Sequence, residues 1–258
     1  MHQDPKWVTV LGYIAGADIW EAFETDWQRV LGEYGIDMFH AREFFPSRKP
    51  YRTWSRVKRN DFLIDLLDVI GQQNITPVGR AVSHEAFMAQ PIWFRRYLTG
   101  ARLTTTGKFV YSGAPNDPYQ MAMVELMIEA LDEASDDDLV HFTMSQQDQM
   151  EGYTVGHMNR IRTMMEQQND PRASKLGRAS YSTPALDRGL QAADLLNHVV
   201  YVRLTRPLDL RMAWALRMLA KKRGTVITWV EQTFDAARDL VEARLEPEAL
   251  ARLQAIEK

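Results

Sequence analysis

The feature that most constrains the fold is the repeated change of hydrophobic period along the chain, from short apolar runs to helical stripes and back. Residues 7–14, WVTVLGYI, are an apolar run of strand length and predict a buried strand. A helix is predicted next, because Trp20, Phe23, Trp27, Val30 and Tyr34 recur at helical spacing. Asp18 and Glu21 stand as a capping box for it, and Gly35 marks its end. A second helix is expected over about 53–70, stopped by Gly71, and then a strand over 75–83 with a proline near its start. Residues 89–118 are rich in Thr, Gly and Pro and predict a long loop or a small excursion from the core. Asp117, Pro118 and Gln120 then announce a largely buried helix running to about Ala134.

The run LVHFTMSQ alternates, with Val140, Phe142 and Met144 on one side, and predicts a strand with one core face. A helix over about 153–168, a short strand over 176–181 and an apolar helix, GLQAADLLNHVVYVRL, follow. From Pro207 the pattern is helix, strand, helix, helix. Strands alternating with helices indicate an α/β protein, one domain with a helical C-terminal extension.

Composition narrows the chemistry. The chain has no cysteine, which excludes disulfides, thiolate catalysis and cysteine-ligated zinc or iron–sulfur clusters. A net charge of −3 does not by itself point to nucleic acid, although local patches are free to differ from the total. No apolar run reaches bilayer-spanning length and the first residues lack a secretion pattern, so the expectation is a cytoplasmic protein without a membrane partner. Phosphate-cradling glycine loops, HExxH and GxSxG are all missing.

Four sets of residues carry candidate chemistry. Asp187, Gln191, Asp194 and His198 are spaced 4, 3 and 4 apart, one polar stripe on an apolar helix that is expected to reach back to Pro184. The plain alternative is a solvent-facing stripe, or an Asp194 that hydrogen-bonds neighbouring backbone. His40 and Glu43, in FHARE, have the spacing of an acid–base pair or a shared metal. Gln147 and Asp148 follow the end of the 139–146 strand, where α/β proteins keep their sites, although turn aspartates are common. Residues 48–59, RKPYRTWSRVKR, hold six cations and two aromatics with no acid. Arg48, Lys49, Arg52, Arg56 and Arg59 would follow a phosphate backbone while Tyr51 or Trp54 stacks on a base; a solvated helix start is the plainer account.

Three segments in order, VLGYIAGADIWEAFETDWQRVLGEYGIDMFHAREF, LVHFTMSQQDQ and LQAADLLNHV, resemble a known family over roughly residues 8–204. This is the domain of unknown function 3800 family, whose members look ribonuclease-H-like. The resemblance implies a mixed sheet flanked by helices over 1–206, with its first strand missing or replaced, and a mostly helical extension over 207–258 packed on the same domain. It also implies a nuclease scaffold in which carboxylates hold Mg²⁺ or Mn²⁺. Asp194 is similar to the family's C-terminal helix aspartate, and His40 to the histidine of its "fH" element. Gln147 and Asp148 fall in the turn after the central strand.

The chain departs from the family in having no Asp-Glu-Ser signature before its "GY" strand, and Ser145 stands where an aspartate would end the central strand. Three readings follow. The preferred one is a catalytically degenerate nucleic-acid-binding or assembly module. The second is an active Mg²⁺- or Mn²⁺-dependent nuclease with catalytic Asp194, Asp148, His40 and Glu43, metal ligands Asp194, Asp148 and Asp187, and substrate contacts from the 48–59 cations, Gln147 and Gln191. The third is a chain whose first strand lies upstream. An uncovered edge on residues 7–14 would invite a homodimer or a hetero-complex.

Overall fold

The computed structural model describes residues 6–103, 109–111, 113–146, 151–167, 169–220 and 224–255. The chain is α/β, as its alternating periods predict. The opening run is the strand β1 (Trp7–Ile14), and α1 (Ala17–Tyr34) follows. The Asp18–Glu21 capping box does not form: Gly16 is the N-cap, with no side-chain cap, and Asp18 sits in the first turn. At the other end Gly35 adopts φ 71°, a left-handed conformation that glycine reaches without a Cβ penalty.

The next elements are the short α2 (Ala41–Phe44) and α3 (Arg56–Gln72). α3 begins three residues later than the spacing predicts, because Ser55 accepts from the Lys58 N–H as N-cap, and it runs through Gly71. Then come β2 (Thr76–Ser83), α4 (His84–Met88) and α5 (Ile92–Leu98). The predicted long loop thus contains a helix and an antiparallel pair, β3 (Arg102–Leu103) with β4 (Phe109–Tyr111).

α6 (Pro118–Glu133) starts where predicted, with Asp117 Oδ1 accepting from the N–H groups of Tyr119 and Gln120. β5 (Val140–Ser145), α7 (Glu151–Gln167) and β6 (Leu176–Ser182) make a strand–helix–strand crossover whose strands pair in parallel. The ladder is irregular between Val140 and Phe142, opposite Gly177. A Cβ on Gly177 would lie 2.7 Å from the Val140 carbonyl oxygen, so only glycine fits there. The chain ends with α8 (Arg188–Thr205), α9 (Leu210–Leu219), β7 (Thr225–Trp229), α10 (Glu231–Arg244) and α11 (Pro247–Gln254). A separate three-stranded sheet has the order β1-β2-β7, so among the described residues β1 is an edge strand.

Cα packing divides the chain into two units interleaved in sequence: residues 1–10, 79–128 and 226–258, and residues 11–78 and 129–225. The first unit closes around Phe87, Trp93, Phe94, Met121, Trp229 and Phe234. The second is built on aromatic rings: Phe23, Trp27, Phe39, Phe44, Tyr51 and Phe62 are all fully buried. Phe44 meets Tyr51 edge-on at 5.0 Å between centroids, and Tyr34 meets Phe62 at 4.9 Å. Within this unit α8 packs against α1, α2, α9 and β5, and α3 packs against α1 and α9. No helix among the described residues is long and apolar enough to cross a membrane.

Candidate functional site

The polar stripe of α8 is divided between buried and partly exposed positions, and none of its members is fully exposed. Its first member, Asp187, lies outside the helix as the N-cap, where its side chain accepts from the Leu190 N–H at 3.1 Å. This role corrects the expectation of a helix reaching back to Pro184, and it commits one of the carboxylates expected to hold metal. Gln191 is fully buried. Its Oε1 accepts from the Trp27 indole at 2.9 Å and from the Phe39 N–H at 2.8 Å, while its Nε2 donates to the Pro184 carbonyl at 2.6 Å. A side chain with no exposed surface cannot reach substrate, so Gln191 is a structural junction joining α1, the 39–41 segment and α8. Asn197, on the next turn, ties the same helix to β1 by donating to the Leu11 carbonyl at 2.9 Å.

Asp194, one turn beyond Gln191, is partly exposed and meets the other half of the expected site. His40 Nδ1 lies 2.7 Å from Asp194 Oδ2, and the Ala41 N–H donates to the same oxygen at 2.8 Å. With the carboxylate as acceptor, Nδ1 is the protonated nitrogen and Nε2 is left as the basic one in a neutral ring. Such a histidine–carboxylate pair has the form of a general base held by its orienting acid. His198, four residues along α8, stacks flat on Phe45 with 4.3 Å between ring centroids and a 4° interplanar angle. Burial pushes the His198 imidazole below its ordinary pKa, against the upward pull of Asp194. Glu43 lies half-buried on α2, and its carboxylate makes no hydrogen bond or ion pair with a described residue.

Among the described residues, the side chains fall short of the oxygen set needed by the cation that the ribonuclease-H resemblance implies. A hard divalent ion asks for several oxygen ligands. Asp187 is spent on a helix cap, and one oxygen of Asp194 already takes two hydrogen bonds. Among the described residues, no group of three or more His, Cys, Asp and Glu side chains is arranged for a metal. Gln147 and Asp148 lie outside the described residues.

The basic segment divides in two. Tyr51 is fully buried, with its hydroxyl directed at the Met38 carbonyl, so it cannot stack on a base. Burial also drives its phenol far above the usual tyrosine range. Trp54 remains partly exposed, but the Lys58 ammonium sits 4.3 Å above its ring. Arg48, Lys49, Arg52 and Arg56 are exposed and Arg59 is half-buried.

The first turn of α3 holds Arg56, Lys58 and Arg59 and no acid. The positive end of a helix dipole disfavours each such cation by about 0.3–1 kcal/mol. Arg56, Arg59, Asn60, Leu63 and Ile64 recur at helical spacing and line one wall of a cleft of about 580 Å³. The opposite wall is Arg211 and Trp214, on the first two turns of α9.

Arg211 was not among the expected residues. Its signal in the sequence is the same as that of Arg56: a cation in the first turn of a helix, just after a capping side chain, Asp209 here and Ser55 there. The Arg211 guanidinium lies over the rings of Phe44 and Phe45, at 5.4 and 5.3 Å from their centroids. Phe45 therefore has His198 stacked on it and Arg211 near it, linking the His40–Asp194 pair to the basic cleft.

In comparisons with protein-family models, curated proteins and solved structures, the chain matches none.

Proposed function

We propose that the protein is a ribonuclease-H-like α/β module that binds nucleic acid and has given up phosphodiester cleavage. The observation that carries this reading is the use of Asp194. The carboxylate that the domain of unknown function 3800 resemblance would assign to metal instead fastens the 40–41 turn, through His40 Nδ1 and the Ala41 N–H. The exposed cations Arg48, Lys49, Arg52 and Arg56, together with the cleft in which Arg56 and Arg59 meet Arg211, support a polyanionic ligand bound through its phosphates.

A second reading, an active nuclease using Mg²⁺ or Mn²⁺, is favoured by the orientation of His40, whose Nε2 is free to take a proton. One set of assays separates the two. The full chain is incubated with single- and double-stranded DNA and RNA, with and without Mg²⁺ or Mn²⁺, beside Asp194→Ala and His40→Ala. The proposal expects intact strands in every lane, with the single-stranded ones retarded. Cleavage that disappears in both variants would overturn it in favour of the nuclease, and failure to retard any of the four nucleic acids would overturn the binding reading.

A further inference from the structure

The cleft between α3 and α9 contains more positive charge than its protein neighbours use. Arg56, Arg59 and Arg211 line it and no carboxylate does. The Nε of Arg59 and both Nε and Nη2 of Arg211 are shielded from solvent and have no hydrogen-bond partner among the described residues. These nitrogens face protein and are closed to a ligand, so the cleft offers the remaining guanidinium nitrogens of Arg59 and Arg211 together with the exposed Arg56. Burial lowers the pKa of Arg211, and the charges of Arg59 and Arg56 add to that effect, so the fold tolerates a like-charge cluster here.

The acid that opposes them, Asp209, is committed as the cap of α9, accepting from the Met212 N–H at 3.0 Å. Both helices also direct their positive ends to this side, with Arg56 the first residue of α3 and Arg211 the second of α9. The Phe44 and Phe45 rings lie against the Arg211 guanidinium, which fixes its charge at the cleft wall. A fixed cluster of guanidinium charges suits the oxygens of a phosphate group. Trp214, partly exposed on the same wall, offers an aromatic face beside it.

We propose that this cleft is a phosphate-binding subsite for single-stranded nucleic acid, with Arg56, Arg59 and Arg211 donating to one phosphate and Trp214 receiving the adjoining base. The inference rests on the nucleic-acid reading above and deepens it by naming the residues and the strand state. The cleft's size lies within the usual range for small-ligand sites, enough for one nucleotide unit rather than a duplex.

The test uses the full chain and two probes: a fluorescent single-stranded oligonucleotide read by anisotropy, and inorganic pyrophosphate read by calorimetry. The variants are Arg211→Gln, Arg211→Lys, Arg56→Gln and Trp214→Ala, each checked for an unchanged far-ultraviolet spectrum. Arg56 is exposed, so its variant keeps the test decisive if Arg211→Gln perturbs the ring stack.

Arg211→Gln and Arg56→Gln are expected to weaken both probes on the order of tenfold, the scale of a lost charged hydrogen bond. Arg211→Lys should recover only part of the loss, because an ammonium lacks the planar guanidinium that lies against the Phe44 and Phe45 rings. Trp214→Ala should weaken the oligonucleotide and leave pyrophosphate unchanged. Oligonucleotide binding that ignores all four variants would overturn the cleft proposal while leaving the nucleic-acid reading standing. Arginine-dependent pyrophosphate binding with no oligonucleotide binding would overturn the nucleic-acid assignment and keep a phosphate site. Binding of neither probe would overturn both.

Discussion

Gln191 makes three hydrogen bonds from a position with no solvent exposure, and all three of its partners would be stranded without it. Gln191→Leu should therefore cost at least about 3 kcal/mol of folding stability, since each buried unmatched group costs about 1–3 kcal/mol. Urea unfolding measures this directly, and an unchanged midpoint and slope would contradict the junction role. His198 gives a pH-dependent counterpart. Its folded pKa is depressed by burial below the ordinary 6.5, so the unfolded chain takes up a proton at higher pH than the folded protein does. The stability this represents is present above the unfolded pKa and is lost as pH falls through the folded one. His198→Phe keeps a flat ring against Phe45 and removes the proton. The drop in melting temperature between about pH 7.5 and about pH 5.5 should be smaller in this variant than in the parent. An equal drop would mean that His198 titrates as it does in the unfolded chain.

At the scale of elements, α3 carries its cations at the end where its own dipole disfavours them. That placement is a local inconsistency of the kind functional sites retain. Arg56→Glu should raise unfolding stability by about 0.3–1 kcal/mol while weakening oligonucleotide binding. A loss of stability would contradict the dipole account, and unchanged affinity would contradict the contact between Arg56 and the strand. Elements with a strong period were legible in the sequence. β1 spans the residues its apolar run predicts, and α6 begins at the Asp117–Pro118 signal. α5 was hidden because it is a seven-residue helix, too short for periodicity, and it forms by burying Trp93, Phe94 and Leu98 in its unit's core. The start of α1 was misread because a glycine N-cap leaves no side-chain signature, so Asp18 drew the assignment. The site was legible in part. His40 and Asp194 were both singled out and they do meet, at 2.7 Å. Arg211 was not, because only the packing of α9 on α3 brings residue 211 beside residues 56 and 59.

For the whole molecule, a net charge of −3 hides a local field of the opposite sign. Arg48, Lys49, Arg52, Arg56 and Lys58 are exposed on one short segment, and Arg211 arrives from α9 to extend it. A polyanion would meet this face, while the net negative charge opposes nonspecific adhesion elsewhere. The central claim, that phosphates are held here, is tested most directly by the dependence of oligonucleotide affinity on salt. A plot of log K against log salt for the full chain and a single-stranded probe should slope at about −2 or steeper, at about −0.7 per phosphate contacted. Replacing Arg52, Arg56 and Arg59 together by glutamine should flatten that slope by about 1, because Arg56 and Arg59 share one phosphate with Arg211. A slope near zero, or one that the triple replacement leaves unchanged, would contradict the account.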